Sequence, residues 1–249
     1  MCGRVVSSSS VTQLVDWLRV DEVVAPELPP SWNIAPGREL YAVIDTRARV
    51  RRLGVMRWGL VPSWSTDPSS GPRPINARAE SLLERPAFSD AVAHRRCLVP
   101  VDGFYEWKRL PGGARQPWFI DVDPGGNEAE GNGAGGNEGE QMAPLVLAGL
   151  WDRWVSPEGE SLVTVAIVTV AANDDVGRLH SRMPAVLARP EEWDRWLDPA
   201  TVDPSRVTPL LEPARPGFLR LRPVDPRVNN VANDAPDLLA ETEEPASLF

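Results

Sequence analysis

The sequence predicts an α+β fold: a single domain in which a curved, barrel-like, mostly antiparallel β core is flanked by short helices. Extended segments outnumber helical ones along the chain, and the two kinds do not alternate as a doubly wound parallel sheet requires. A length of 249 residues with 42% hydrophobic content is also enough to bury one full core.

The elements follow in order. Val11, Leu14, Val15 and Leu18 recur at helical spacing behind Ser9 and Ser10, either of which can cap a short amphipathic helix. Pro26, Pro29 and Pro30 form a turn. Beyond them, β-branched and aromatic residues concentrate in extended segments at 39–45, 50–60, 97–107, 118–122, 145–155 and 162–170. Polarity and periodicity predict helical pieces at 77–84, 191–197 and 236–241. Residues 123–142 turn to Gly, Asn and Glu, a composition with almost nothing to bury, so a disordered acidic loop is expected between two adjacent strands of a hairpin. The domain is expected to span residues 2–241, with 242–249 as a flexible tail.

Several function classes recede at this level. No run approaches the roughly 18 apolar residues that cross a bilayer, and no basic segment followed by an apolar run opens the chain, so a cytoplasmic protein with no membrane partner is expected. Two cysteines and two histidines offer no metal-ligand spacing, and no Gly-rich phosphate loop is present, so neither a metal nor another cofactor is expected. Cys2 and Cys97 are expected as free thiols. The net charge of −9 argues against a nucleic-acid partner until it is divided along the chain. Residues 1–120 carry 16 basic and 12 acidic groups, and residues 121–249 carry 10 and 23, giving +4 and −13. Lys108 is the only lysine, so the positive charge is nearly all guanidinium, which suits bidentate contact with phosphate.

The chemistry concentrates on few residues. Once Met1 is removed, Cys2 carries an α-amine and a β-thiol on one residue. An aldehyde meets such an amine as a Schiff base, and the thiol then closes on the imine carbon to give a thiazolidine. Glu106 lies among Phe104, Tyr105 and Trp107; it is either a general acid–base held in apolar surroundings or the solvent-facing member of an alternating strand. His180, in LHSRMP, is either a titrating group that helps open a sugar ring or a surface histidine. Asn76 and Arg78, in INARAES, can cap a helix and hold phosphate. Trp58 and Trp64 are candidates for stacking on unpaired bases.

MCGR, WNIAPG, RWGLVPSW, NARAES, RCLVPVDGFYEW and HSRMP, in this order, resemble the SOS response-associated peptidase family, whose members are also called abasic site processing proteins. VNNVANDAPDL is similar to that family's closing segment, so the resemblance covers nearly the whole chain. It implies a thiazolidine link between Cys2 and an abasic site in single-stranded DNA, with sites at single-strand/double-strand junctions left open by the sequence. It further implies Asn76 orienting the cysteine or sugar, Glu106 shuttling protons and His180 assisting ring opening. Arg4, Arg78 and Arg182 are implied as phosphate or groove contacts, with Pro36, Trp64, Trp107 and Thr169 lining the site. A monomer is expected, associated with the nucleoid in a bacterium. Two other readings stay open at this point: an N-terminal-nucleophile cysteine peptidase using the Cys2 thiol, and a noncatalytic single-strand binding module.

Overall fold

The computed structural model describes residues 2–69, 71–124 and 143–243. Thirteen strands and four α-helices follow one another as β1 (Val5–Ser7), α1 (Val11–Leu18), β2 (Glu22–Val23), β3 (Ser31–Ile34), β4 (Glu39–Asp45), β5 (Arg51–Trp58), β6 (Asn76–Arg78), α2 (Pro86–His94), β7 (Arg96–Val101), β8 (Gly103–Arg109), β9 (Arg115–Val122), β10 (Leu145–Val155), β11 (Ser161–Ala171), α3 (Asp174–Gly177), β12 (Arg182–Pro184), α4 (Pro190–Leu197) and β13 (Leu219–Pro223). Five strands close a barrel in the cyclic order β5–β4–β7–β10–β11. Each step is antiparallel except the closing one, where β11 runs parallel to β5 at Thr164–Arg57 and Val165–Trp58. The expected curved, mostly antiparallel α+β domain is the observed one.

The sequence dictates this closure through residues that fit a crowded interior. Every residue of β7 is buried. A Cβ on Gly149 would come within 2.7 Å of the Cys97 sulfur and 2.9 Å of a Val99 methyl, so only glycine lets β10 pack there. Outside the barrel, Arg96 ties two helix ends together. Its guanidinium donates to the carbonyls of Val92 and Ala93 in α2, Trp196 in α4, and Asp198 and Thr201 beyond it, at 2.5 to 2.9 Å. The carbonyls of Val92, Ala93 and Trp196 belong to the last turns of α2 and α4, where the helix itself supplies no N–H partner.

A second, five-stranded sheet in the order β13-β9-β8-β1-β3 leans on the barrel. The segment expected to be one strand over 97–107 is two, β7 in the barrel and β8 in this sheet, divided at Asp102. The Asp102 carboxylate accepts from the backbone N–H and hydroxyl of both Ser8 and Ser9, holding the turn between β1 and α1. Ser10, the next residue, caps α1 in a reciprocal box with Gln13.

The structure corrects other expectations. Residues 77–84 are not a helix: Asn76–Arg78 form β6, parallel to Ile167–Thr169 of β11, and a single 3-10 turn, Ala79–Ser81, follows. Pairing with an available barrel edge outweighs the helical propensity of this alanine- and glutamate-bearing stretch. The helix lies later, in α2, with Pro86 at its first position and Phe88, Ala91 and Val92 buried. Residues 236–241 yield only a 3-10 turn, Pro236–Leu239. The strands flanking the acidic insertion are not hairpin partners: β9 pairs with β8 and β13, whereas β10 pairs with β7 and β11. The insertion therefore connects the two sheets. The disorder expected at 123–142 and the tail at 242–249 lie largely outside the described residues. No helix among the described residues is long and apolar enough to cross a membrane.

Candidate active site around Cys2

Cys2 lies three residues before β1, at the seam between the small sheet and the barrel, and is fully buried. The seam is fastened there by Asn76 of β6, whose side-chain amide donates to the Cys2 carbonyl oxygen at 2.8 Å. The Asn76 Oδ1 atom is buried and has no hydrogen-bond partner in the structure. A buried acceptor left in that state costs about 1–3 kcal/mol and marks a position shaped for a donor. Glu106, on β8, is 3% exposed, so it does not occupy the solvent face that simple alternation offered it. Burial first, and the neighbouring Glu106 carboxylate second, push the Cys2 thiol far above the ordinary thiol range, partly offset by the positive charge of the N-terminal amine and then by a backbone hydrogen bond from Arg4. The sulfur is therefore held as a neutral thiol.

Arg4 organises the opposite rim. Its guanidinium donates to Asn33 Oδ1 at 2.5 Å and to the Val228 carbonyl at 2.9 Å, and sits 5.7 Å from the centre of the Trp107 ring. Burial lowers its pKa, and its Nε is buried without a partner. Asn33 in turn donates to the carbonyls of Val228, Asn230 and Asn233, while the Trp107 indole donates to Asn229 at 2.6 Å. The VNNVAN segment is thus wound around Arg4 and Asn33. Sequence reasoning did not single out Asn33, although it stands inside the quoted WNIAPG motif.

A third group forms where β6, β11 and β12 meet. Arg78 is exposed and stands opposite Thr169 in the parallel register. Thr169 is fully buried, and its carbonyl and hydroxyl accept from Arg182 at 2.6 and 3.3 Å. The same guanidinium grips Glu80 with two bonds, 2.6 and 3.0 Å, and this pairing lowers the Glu80 pKa. His180 is half-buried, and its Nδ1 faces the Arg182 backbone, 2.9 Å from the N–H, from which it accepts in the tautomer with its proton on Nε2, and 3.3 Å from the carbonyl oxygen. Glu80 was another residue sequence reasoning passed over, though NARAES contains it.

The structure thus brings Cys2, Asn76 and Glu106 together, joins Arg4 to Trp107, and joins His180, Thr169 and Arg182. Pro36 and Trp64 lie on loops outside these hydrogen-bonded sets. Pro36 is exposed and borders a cleft of ≈ 210 Å³ that also includes Trp58, Arg73 and Ile75. Trp64 is 67% exposed, on the excursion between β5 and β6. Trp58 is a core residue, 1% exposed, with its indole donating to the Ile75 carbonyl. Both cysteines are free. Chemically, the set offers a neutral thiol beside a carboxylate, an unsatisfied amide oxygen and an exposed arginine.

Comparison with known proteins points to one family. The family model described as SOS response associated peptidase (SRAP) matches residues 1–231. The abasic site processing protein YoqW of Bacillus subtilis is 33% identical over 240 residues, covering 96% of this chain and 99% of the relative. The abasic site processing protein HMCES of Rattus norvegicus is 34% identical over 250 residues, covering 93% and 69%. A crystal structure of a protein from Bacteroides thetaiotaomicron superposes with a TM-score of 0.76 at 21% identity, covering 97% of this chain and 100% of that one; this likeness concerns the fold.

Proposed function

Because the chain belongs to the SOS response associated peptidase family, we propose that it processes abasic sites in DNA by joining the lesion covalently to Cys2 after loss of Met1. The relatives named for abasic site processing support the substrate class. The observation that carries the chemistry is the burial of Cys2 between Asn76 and Glu106. The α-amine attacks the aldehyde carbon of the open-chain sugar, and the carbinolamine loses water to give an imine. The thiol then adds across the C=N bond, its sulfur bonding to carbon and its proton ending on nitrogen. The sum is aldehyde plus cysteine giving thiazolidine plus one water.

A neutral thiol needs its proton carried, and the Glu106 carboxylate is the adjacent group able to accept and return it. Asn76 fixes the Cys2 backbone through Nδ2, leaving Oδ1 to accept from the amine or a sugar hydroxyl. His180, with its proton on Nε2, donates to the ring oxygen as the closed sugar opens. Arg78 holds phosphate, Arg4 and Trp107 form one wall of the groove, and Trp64 stacks on an unpaired base. Thr169 and Arg182 brace His180 from behind, and Pro36 borders the path. The strand is single-stranded, alone or at a junction with duplex, and the protein acts as a cytoplasmic monomer without a cofactor.

The thiol's environment disfavours the peptidase reading, since a cysteine nucleophile in peptide cleavage works as a thiolate and here burial opposes that form. A denaturing gel of processed protein with abasic single-stranded DNA is expected to show a shifted covalent band. Retention that disappears on denaturation would leave only a binding module.

A further inference from the structure

We propose that the outer end of the β8–β9 hairpin is a phosphate clamp for the single strand leaving the abasic site, with Arg109 and Arg115 as its two jaws. The proposal rests on the reading that DNA is the partner and adds where and how the strand is held. In the antiparallel register Arg109 stands directly opposite Arg115, so their side chains share one face at the closest cross-strand spacing. Both are exposed, and among the described residues neither forms an ion pair. Like charges placed directly opposite each other destabilise a strand pair, and no ion pair among the described residues offsets that here. The tip between them is a tight turn, Pro111–Gly113, with positive φ at Gly112 and Gly113 and a Leu110-to-Ala114 backbone bond, so the pair is held in place by short-range geometry.

Position relative to the reaction centre gives the pair its role. Alternation puts Arg109 on the face of β8 that carries Trp107, the ring against which Arg4 lies. Arg109 follows Glu106 by three residues, about 10 Å along an extended strand, and with Trp107 it points from the face opposite Glu106, the face on which Arg4 lies. Residues 107–117, WKRLPGGARQP, hold three basic residues and no acidic one, in a chain whose net charge is −9. Neither jaw touches Cys2, Asn76, Glu106 or His180 in the described interactions, so the clamp affects binding separately from bond formation.

The test compares the full chain with R109Q/R115Q and R109K/R115K on an unmodified single-stranded oligonucleotide, measuring affinity by fluorescence anisotropy against salt concentration. Loss of two phosphate contacts should make the slope of log K against log salt shallower by about 1.4, at about 0.7 per contact on single strands. The double lysine variant should keep the wild-type slope. Melting temperature for the glutamine variant should be equal to or above wild type, since a repulsion is removed. An unchanged slope in R109Q/R115Q overturns the clamp. A parallel arm measures adduct formation at saturating abasic oligonucleotide, where both variants should match wild type. A wild type that gives no adduct but shows the slope difference sinks the cross-link reading and leaves the clamp standing; an adduct with no slope difference does the reverse.

Discussion

The Asn76 amide and the Cys2 carbonyl, 2.8 Å apart, form the hydrogen bond that holds the start of the chain against the barrel. Asn76 is set by β6, which is itself held by β11, so the position of Cys2 is inherited from the barrel's closing seam. Replacing Asn76 with Ala removes this restraint and the unsatisfied Oδ1. Displacement of a reacting group by about 1 Å costs on the order of 100-fold in rate, so N76A should slow adduct formation by about that factor while leaving affinity for unmodified DNA unchanged. Single-turnover kinetics beside anisotropy will check both.

Glu106→Gln keeps the shape of the site and removes the proton carrier. General acid–base assistance contributes about 10²–10⁴-fold, and the variant should lose a factor in that range. A rate within twofold of wild type means another group carries the proton.

His180→Ala separates ring opening from bond formation. The variant should be slow on a closed abasic deoxyribose and close to wild type on an acyclic aldehyde lesion, measured on paired oligonucleotides. Equal slowing on both substrates assigns His180 to a later step.

Much of this was legible in the sequence, and the misses share a cause. The strands at 39–45 and 145–155 announce themselves by runs of apolar and aromatic residues, and Asp45 and Leu145 bound them as expected. Residues 77–84 misled because β6 is only three residues long and exists through pairing with β11, a contact about 90 positions away that no local pattern encodes. The break at Asp102 was hidden for a similar reason: the residues on either side of it, 97–101 and 103–105, are apolar or aromatic, and the serines bound by Asp102 lie near residue 8. Within the site, reactive residue types stood out, whereas Asn33 and Glu80, which brace others, are recognisable only once their partners Arg4 and Arg182 are in view.

Arg96 carries the stability of the α2–α4 corner. It is 6% exposed and donates to five carbonyls, so Arg96→Met leaves several buried acceptors unsatisfied and should cost at least about 3 kcal/mol in urea denaturation. A loss below 1 kcal/mol would show that water replaces the guanidinium readily.

Alkaline pH should weaken the fold. Burial holds Cys2, Cys97 and Tyr105 neutral, raising all three above their ordinary values. In the unfolded chain thiols ionise near 8.5 and the phenol near 10. Above about pH 8.5 the unfolded state therefore binds fewer protons than the folded one, and stability, fully present below that pH, falls as pH rises. The limiting slope is about 1.4 kcal/mol per pH unit for each thiol, and Cys97→Ala should remove one thiol's share. A flat profile between pH 8 and 10 contradicts the burial of these groups.

The central claim is that the reactive unit is the paired amine and thiol of a processed Cys2. Intact mass spectrometry after incubation with an abasic single-stranded oligonucleotide tests it most directly, comparing processed protein with protein bearing a short N-terminal extension. The processed protein should gain the mass of the oligonucleotide less one water and keep it through denaturation, and the extended protein should gain nothing. An adduct of the same mass on the extended protein would contradict the account.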